Sequence, residues 1–217
     1  EQIDTTKFNE DSITLDFIIN NPVIRKRKQE LSSGIRSVEC SDCWINEDTS
    51  GSSFRTAYYG NSDLDDVSNN VLNEDLTRKI ELVLTNRCNS ACVYCWEGLS
   101  SRWQKETGNI FKDTDFAVLE KVIDVLKEYW KEELHKREHV SFSLLGGEPF
   151  FTDHMFYFIE NFINKIEINN RVDVEITTGL NFTEKTFQKF IDLIKGNKNI
   201  HYNIVVSAEA TGDKFEH

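Results

Sequence analysis

No stretch of this sequence approaches the ~20 consecutive apolar residues that a helix needs to cross a bilayer. Positive charge is also short. Twenty-five Lys and Arg stand against thirty-seven Asp and Glu, a formal net charge of −12. A surface of that sign repels phosphate backbones, which argues against nucleic acid as a partner. The polar, acidic start EQIDTTKFNEDS carries no secretory leader, so the chain reads as cytoplasmic and without a membrane partner. It does not begin with Met, which points to an upstream segment removed or left out. No internal repeat is visible. Cysteine is scarce and odd in number, five in 217 residues, which does not suit a disulfide framework. Thiols in such a chain stay reduced, and grouped ones bind metal or do chemistry.

What is present supports a core: 39% of residues are apolar, with fifteen Phe and four Trp. Residues 1–55 read as a small module. DSITLDFIIN begins a helix at Asp11 or Ser12. NPVIRKRKQELSSG begins another at Asn21, has Pro22 at its first position and stops at Gly34. RSVECSDCWINEDTSGSSFR follows and reads as a loop. Residues 56–78, rich in Asn, Asp and Ser, read as a linker. From residue 79 the rhythm changes. KIELVLT alternates as a strand, and HVSFSLL, RVDVEITTG and IHYNIVVSAEA read as three more. Between them lie helical patterns: TDFAVLEKVIDVLKEYWKEELHKR, DHMFYFIENFINKIEI and TEKTFQKFIDLIKG, the last closed by Gly196. Alternating strands and helices predict an α/β fold with a parallel sheet over 79–217. Chemistry collects at the carboxyl ends of such strands. The stretches that follow the four strands are a cysteine cluster, GGEP, TTG and SAE.

The cluster is LTNRCNSACVYCW, with Cys88, Cys92 and Cys95 at C-x3-C-x2-C spacing. Structural zinc wants four protein ligands, usually as two separated pairs. A 4Fe–4S cube normally takes four thiolates, so three leave one iron open to a small chelating molecule. The alternative is a zinc site completed by a His or by Cys40 or Cys43. His135, His139, His154, His201 and His217 are scattered without ligand spacing and read as surface or loop residues.

These motifs together resemble the radical S-adenosylmethionine superfamily over residues 79–217. The resemblance implies a partial TIM barrel, with four strand–helix units where a full core has six, so the chain is either a fragment or a sequence from which parts are missing. It implies a 4Fe–4S cluster on Cys88, Cys92 and Cys95, and reductive cleavage of S-adenosylmethionine to a 5′-deoxyadenosyl radical. Tyr94 would lie against the adenine; its alternative is an ordinary core aromatic. Gly146 and Gly147 would let the backbone approach the ligand closely, and Glu148 would accept the methionine ammonium. Thr177, Thr178 and Gly179 stand where the family often has Thr-Asn-Gly, so Thr178 departs at the middle position. Ser207 and Glu209, two apart on a strand, would meet the ribose. No acid–base residue beyond cluster and cofactor is implied. An external electron donor such as a flavodoxin or ferredoxin would supply the electron.

Cys40, Cys43, Glu47, Gly51, Ser53 and Arg55 resemble the pattern of SPASM/twitch modules, which bind auxiliary 4Fe–4S clusters; a further Cys pair would lie upstream of residue 1. That resemblance implies an oxidoreductase or peptide-modifying enzyme with a peptide or protein substrate. The other reading is a non-catalytic iron–sulfur or zinc protein serving as scaffold or electron carrier.

Overall fold

The computed structural model describes residues 13–19, 21–53, 56, 79–108, 115–196 and 199–207. Most of the linker expected over 56–78 lies outside these residues, as do Arg55, Glu209 and His217. The chain divides into two compact units, one of residues 14–76 and one of 77–217 together with 1–13. Among the described residues no helix is long and apolar enough to cross a membrane.

In the smaller unit α1 (Leu15–Ile19) starts at Thr14, whose hydroxyl accepts from Phe17 N at 3.1 Å. Asp11 and Ser12, the expected caps, lie outside the described residues. Helix α2 (Pro22–Ser32) is capped by Asn21 Oδ1, which accepts from Val23 N at 2.9 Å. The segment expected as a loop corrects the sequence reading. It holds a 3-10 turn, Val38–Cys40, and a ten-residue helix, α3 (Ser41–Ser50), which ends at Gly51. Its Ser, Asp, Asn and Thr are weak helix formers and its apolar periodicity is faint, so local pattern missed it. Contacts from outside the helix hold it. Arg36 makes a two-pronged pair with Asp48 at 2.6 and 2.7 Å, and Trp44 Nε1 donates to Ser37 O at 3.0 Å.

The larger unit is α/β. Strands β1 (Lys79–Thr85), β2 (His139–Gly146), β3 (Arg171–Thr178) and β4 (Ile200–Val206) form one all-parallel sheet in the order β1-β2-β3-β4. Helices α4 (Ser101–Thr107) and α5 (Phe116–Glu132) join β1 to β2. Helix α6 (His154–Phe158), prolonged by a π turn (Ile159–Ile163), joins β2 to β3, and α7 (Glu184–Ile194) joins β3 to β4. The α4 helix had no apolar pattern by which to be read in the sequence.

One face of the sheet makes the core. Val140, Phe142, Leu144, Val172, Val174 and Ile176 are all fully buried. Phe142 meets Trp130 of α5, Phe158 of α6 and Phe162 of the π turn, at ring separations of 6.5, 6.2 and 5.3 Å. Phe190 of α7 packs edge-on to Tyr202 of β4 at 5.8 Å. By register Phe142, Val174 and Tyr202 are neighbours, so α5, α6 and α7 cover the same face. Removing a ring such as Phe142 from this layer costs about 3–5 kcal/mol. Burial also pushes the Tyr202 hydroxyl's pKa up, and that hydroxyl has no hydrogen-bond partner among the described residues.

Candidate functional site

All four strands end toward one cavity of about 620 Å³. It is built from the loop after β1, the Gly-Gly-Glu turn after β2, the Thr-Gly turn after β3 and Ser207 after β4.

The loop after β1 is held open by bonds to its backbone. Cys95 N donates to Cys92 O at 2.9 Å. Ser101 at the start of α4 takes both ends of Cys88: its hydroxyl accepts from Cys88 N and donates to Cys88 O, each at 3.1 Å. Trp103 Nε1 donates to Cys92 O at 2.8 Å, and Gln104 Nε2 to Glu97 O at 2.9 Å. The α4 helix is thus the clamp of the cysteine loop. The three thiols are free and half-buried, and all line the cavity. Burial pushes the Cys95 thiol up, and Cys88 and Cys92 nearby push the same way.

Gly146 and Gly147 have a role the sequence reading did not assign. Their close approach is to protein backbone: Gly147 N donates to Thr85 O at 2.7 Å and Glu148 N to Arg87 O at 2.8 Å. A Cβ on Gly146 would run into Thr85 O, and one on Gly147 into Arg87 O. Gly146 also takes φ 127°, a conformation side chains rarely adopt. Both glycines line the cavity as well.

Glu148 is only 2% exposed. Its Oε1 accepts from Thr178 Oγ1 at 2.6 Å and from Phe150 N at 3.3 Å, and its Oε2 from Gly179 N at 2.9 Å. A carboxylate buried between the ends of β2 and β3 and bonded this way is a fixed acceptor, since burying the charge unpartnered would be costly. Thr178 therefore acts on Glu148. Thr177 also lines the cavity. Ser207 sits just past the end of β4 and not on it, with its N–H donating to Thr178 O at 2.9 Å.

Tyr94 is 64% exposed at the cavity rim, so it is no core aromatic. Trp96 stands beside it at the rim, 50% exposed. Residues beyond the sequence reading are Ser90, Trp96 and Asn181. Asn181 Nδ2 donates to Ser90 Oγ at 2.8 Å and ties the turn after β3 to the cysteine loop. That turn contains Leu180 at φ 61°. His154 corrects the reading of the histidines: it is buried, stacked on Phe116 at 4.3 Å and bonded to Thr152 Oγ1 at 3.1 Å. His135, His139 and His201 are exposed.

In the smaller unit Cys40 is the N-cap residue of α3 and Cys43 lies in its first turn. Glu47 Oε1 accepts from Ser53 Oγ at 2.5 Å, which staples the far end of the same helix.

No family model, curated protein or solved structure matches this chain.

Among the described residues no three His, Cys, Asp or Glu side chains converge closely enough to ligate a single metal ion. Three soft thiols spread around one cavity, with no His among its lining residues, suit an iron–sulfur cluster better than a four-ligand zinc ion.

Proposed function

We propose that the larger unit is the core of a radical S-adenosylmethionine enzyme, an arc of a parallel β/α barrel. Consecutive strand order with the helices on one face supports this, because a doubly wound sheet reverses its order and covers both faces. The observation that carries the reading is that three thiols and the buried, bonded Glu148 share one cavity at the carboxyl ends of parallel strands. Its volume lies within the range of about 300–1,000 Å³ usual for ligand pockets.

Cys88, Cys92 and Cys95 would hold a 4Fe–4S cluster. Bound there, such a cluster would supply the electron for reductive cleavage of S-adenosylmethionine and so the radical chemistry that removes a hydrogen from the substrate. The chain's own part is binding, orientation and exclusion of water. Glu148 keeps acceptor capacity beyond its three bonds, and a methionine ammonium fits that capacity. Thr178 and Gly179 hold its oxygens in place, so binding needs no rearrangement there. Tyr94 and Trp96 offer aromatic faces for the adenine. The hydroxyls of Thr177 and Ser207 are donors for the carboxylate and ribose, and Glu209 is a further ribose ligand in this reading. The smaller unit would serve as a twitch-like module carrying part of an auxiliary 4Fe–4S cluster on Cys40 and Cys43. The substrate class is then a peptide or protein, the electron donor a flavodoxin or ferredoxin, and the compartment the cytoplasm.

Anaerobic reconstitution of the full-length chain tests the reading. One cluster should depend on Cys88, Cys92 and Cys95, its spectrum should change when S-adenosylmethionine is added, and dithionite should release 5′-deoxyadenosine. An unchanged spectrum would mean a closed, non-catalytic iron–sulfur site.

A further inference from the structure

The second face of the sheet is polar, which is unusual for a parallel sheet. Register sets its side chains in rows across the strands. Lys79, Ser141, Asp173 and His201 make one row, and Glu81, Ser143, Glu175 and Asn203 the next. Nearer the cavity comes a largely apolar row of Val83, Leu145 and Val205 with Thr177. Val83 and Val205, on the two edge strands, are 52% and 42% exposed.

Among the described residues, the carboxylates of the two polar rows have basic partners except at one place. Lys79 Nζ meets Glu81 at 3.0 Å. Asp173 takes Arg171 and His139, each at 3.0 Å. Glu175 has no basic partner among the described residues and accepts the Ser143 hydroxyl at 3.1 Å. It lies two residues before Thr177 on β3, about 7 Å below the cavity lining. The path from cavity to Glu175 therefore runs past Thr177 and the apolar Val83, Leu145 and Val205 and ends in a carboxylate with no basic partner among the described residues. That sequence of surfaces complements an aliphatic stem with a cationic head.

We infer that Glu175 determines substrate specificity by receiving the charged end of a basic side chain of the substrate peptide, lysine being the best fit. The inference rests on the function proposed above. The net charge of −12 acts in the same direction, drawing a basic peptide toward the chain.

The test uses the reconstituted full-length chain and three acetylated pentapeptide amides with Lys, norleucine or Glu at the centre of four alanines, titrated by NMR. The Lys peptide should bind about tenfold tighter than the norleucine peptide, as a charge-assisted contact in a half-open site allows. Glu175→Gln, which keeps the shape, should abolish that preference, and Glu175→Lys should reverse it toward the Glu peptide. Equal binding of the Lys and norleucine peptides, a Lys preference that survives Glu175→Gln, or no detectable binding of the Lys peptide would each overturn the inference. S-adenosylmethionine affinity of the wild-type chain is measured alongside. Its loss with the lysine preference intact would sink the proposed function and leave the cation site standing, whereas the reverse pattern sinks this inference alone.

Discussion

The amide of Glu148 donates to the carbonyl of Arg87 at 2.8 Å, one residue before Cys88. The carboxylate and the first thiol are thus set by one backbone contact between the ends of adjacent strands. Groups so joined hold their spacing without help from side-chain packing.

That contact requires glycine at 147. Gly147→Ala should destabilise the chain by about 2–3 kcal/mol, since the new methyl must displace the Arg87 backbone. Urea unfolding monitors it. A change within about 0.5 kcal/mol, the range of ordinary surface substitutions, would show that the strand ends are not packed this way.

Glu148→Gln should weaken S-adenosylmethionine binding by about one to two powers of ten at unchanged iron content, because charge-assisted bonds are worth roughly 1.5–3 kcal/mol. Thr178→Val keeps the shape but removes the hydroxyl that donates to Oε1, and should produce a smaller loss in the same direction. Isothermal titration reads both, and equal affinity in wild type and Glu148→Gln would reduce GGEP to a turn.

Stability should fall in acid partly through Asp173. Burial alone would raise its pKa, but the bonds from Arg171 and His139 outweigh that and leave it below the ordinary 3.8. His201 faces it from β4 in the adjacent register position. A depressed folded value means that its contribution is present above the unfolded pKa and is lost as pH falls below about 4. Asp173→Asn should flatten the pH dependence of urea unfolding between pH 5 and 3. Parallel curves for the two proteins would remove Asp173 from the account.

Cys40→Ala with Cys43→Ala, in the full-length protein, should lower iron by about one cluster per chain and spare S-adenosylmethionine binding. Loss of binding in that variant would place all five cysteines in a single site.

Strands were legible wherever strict alternation met a one-sided core, as in RVDVEITT, where every second residue is buried. The helix at 41–50 was hidden because nothing in SDCWINEDTS favours a helix locally; the Arg36–Asp48 pair that fastens it spans twelve positions. The α4 helix escaped for a similar reason, since its purpose is to bond the cysteine loop through Ser101, Trp103 and Gln104 and not to bury a stripe. The three cysteines stood out by their spacing and Glu148 by the resemblance that GGEP carries, and all four line the cavity. Asn181 could not, because its partner Ser90 is ninety-one residues away.

The strict alternation of β3 also bears on how the chain folds. A slip of one residue would drive Asp173, Glu175 and Thr177 into the phenylalanine layer and turn Val172, Val174 and Ile176 out to water. Each wrong register buries charge and exposes aliphatic surface at once, so misaligned pairings are strongly disfavoured. Thr178 and Gly179 follow directly on that strand and aim at Glu148 only in the correct register. Sheet assembly therefore proofreads the geometry of the cavity before any ligand arrives.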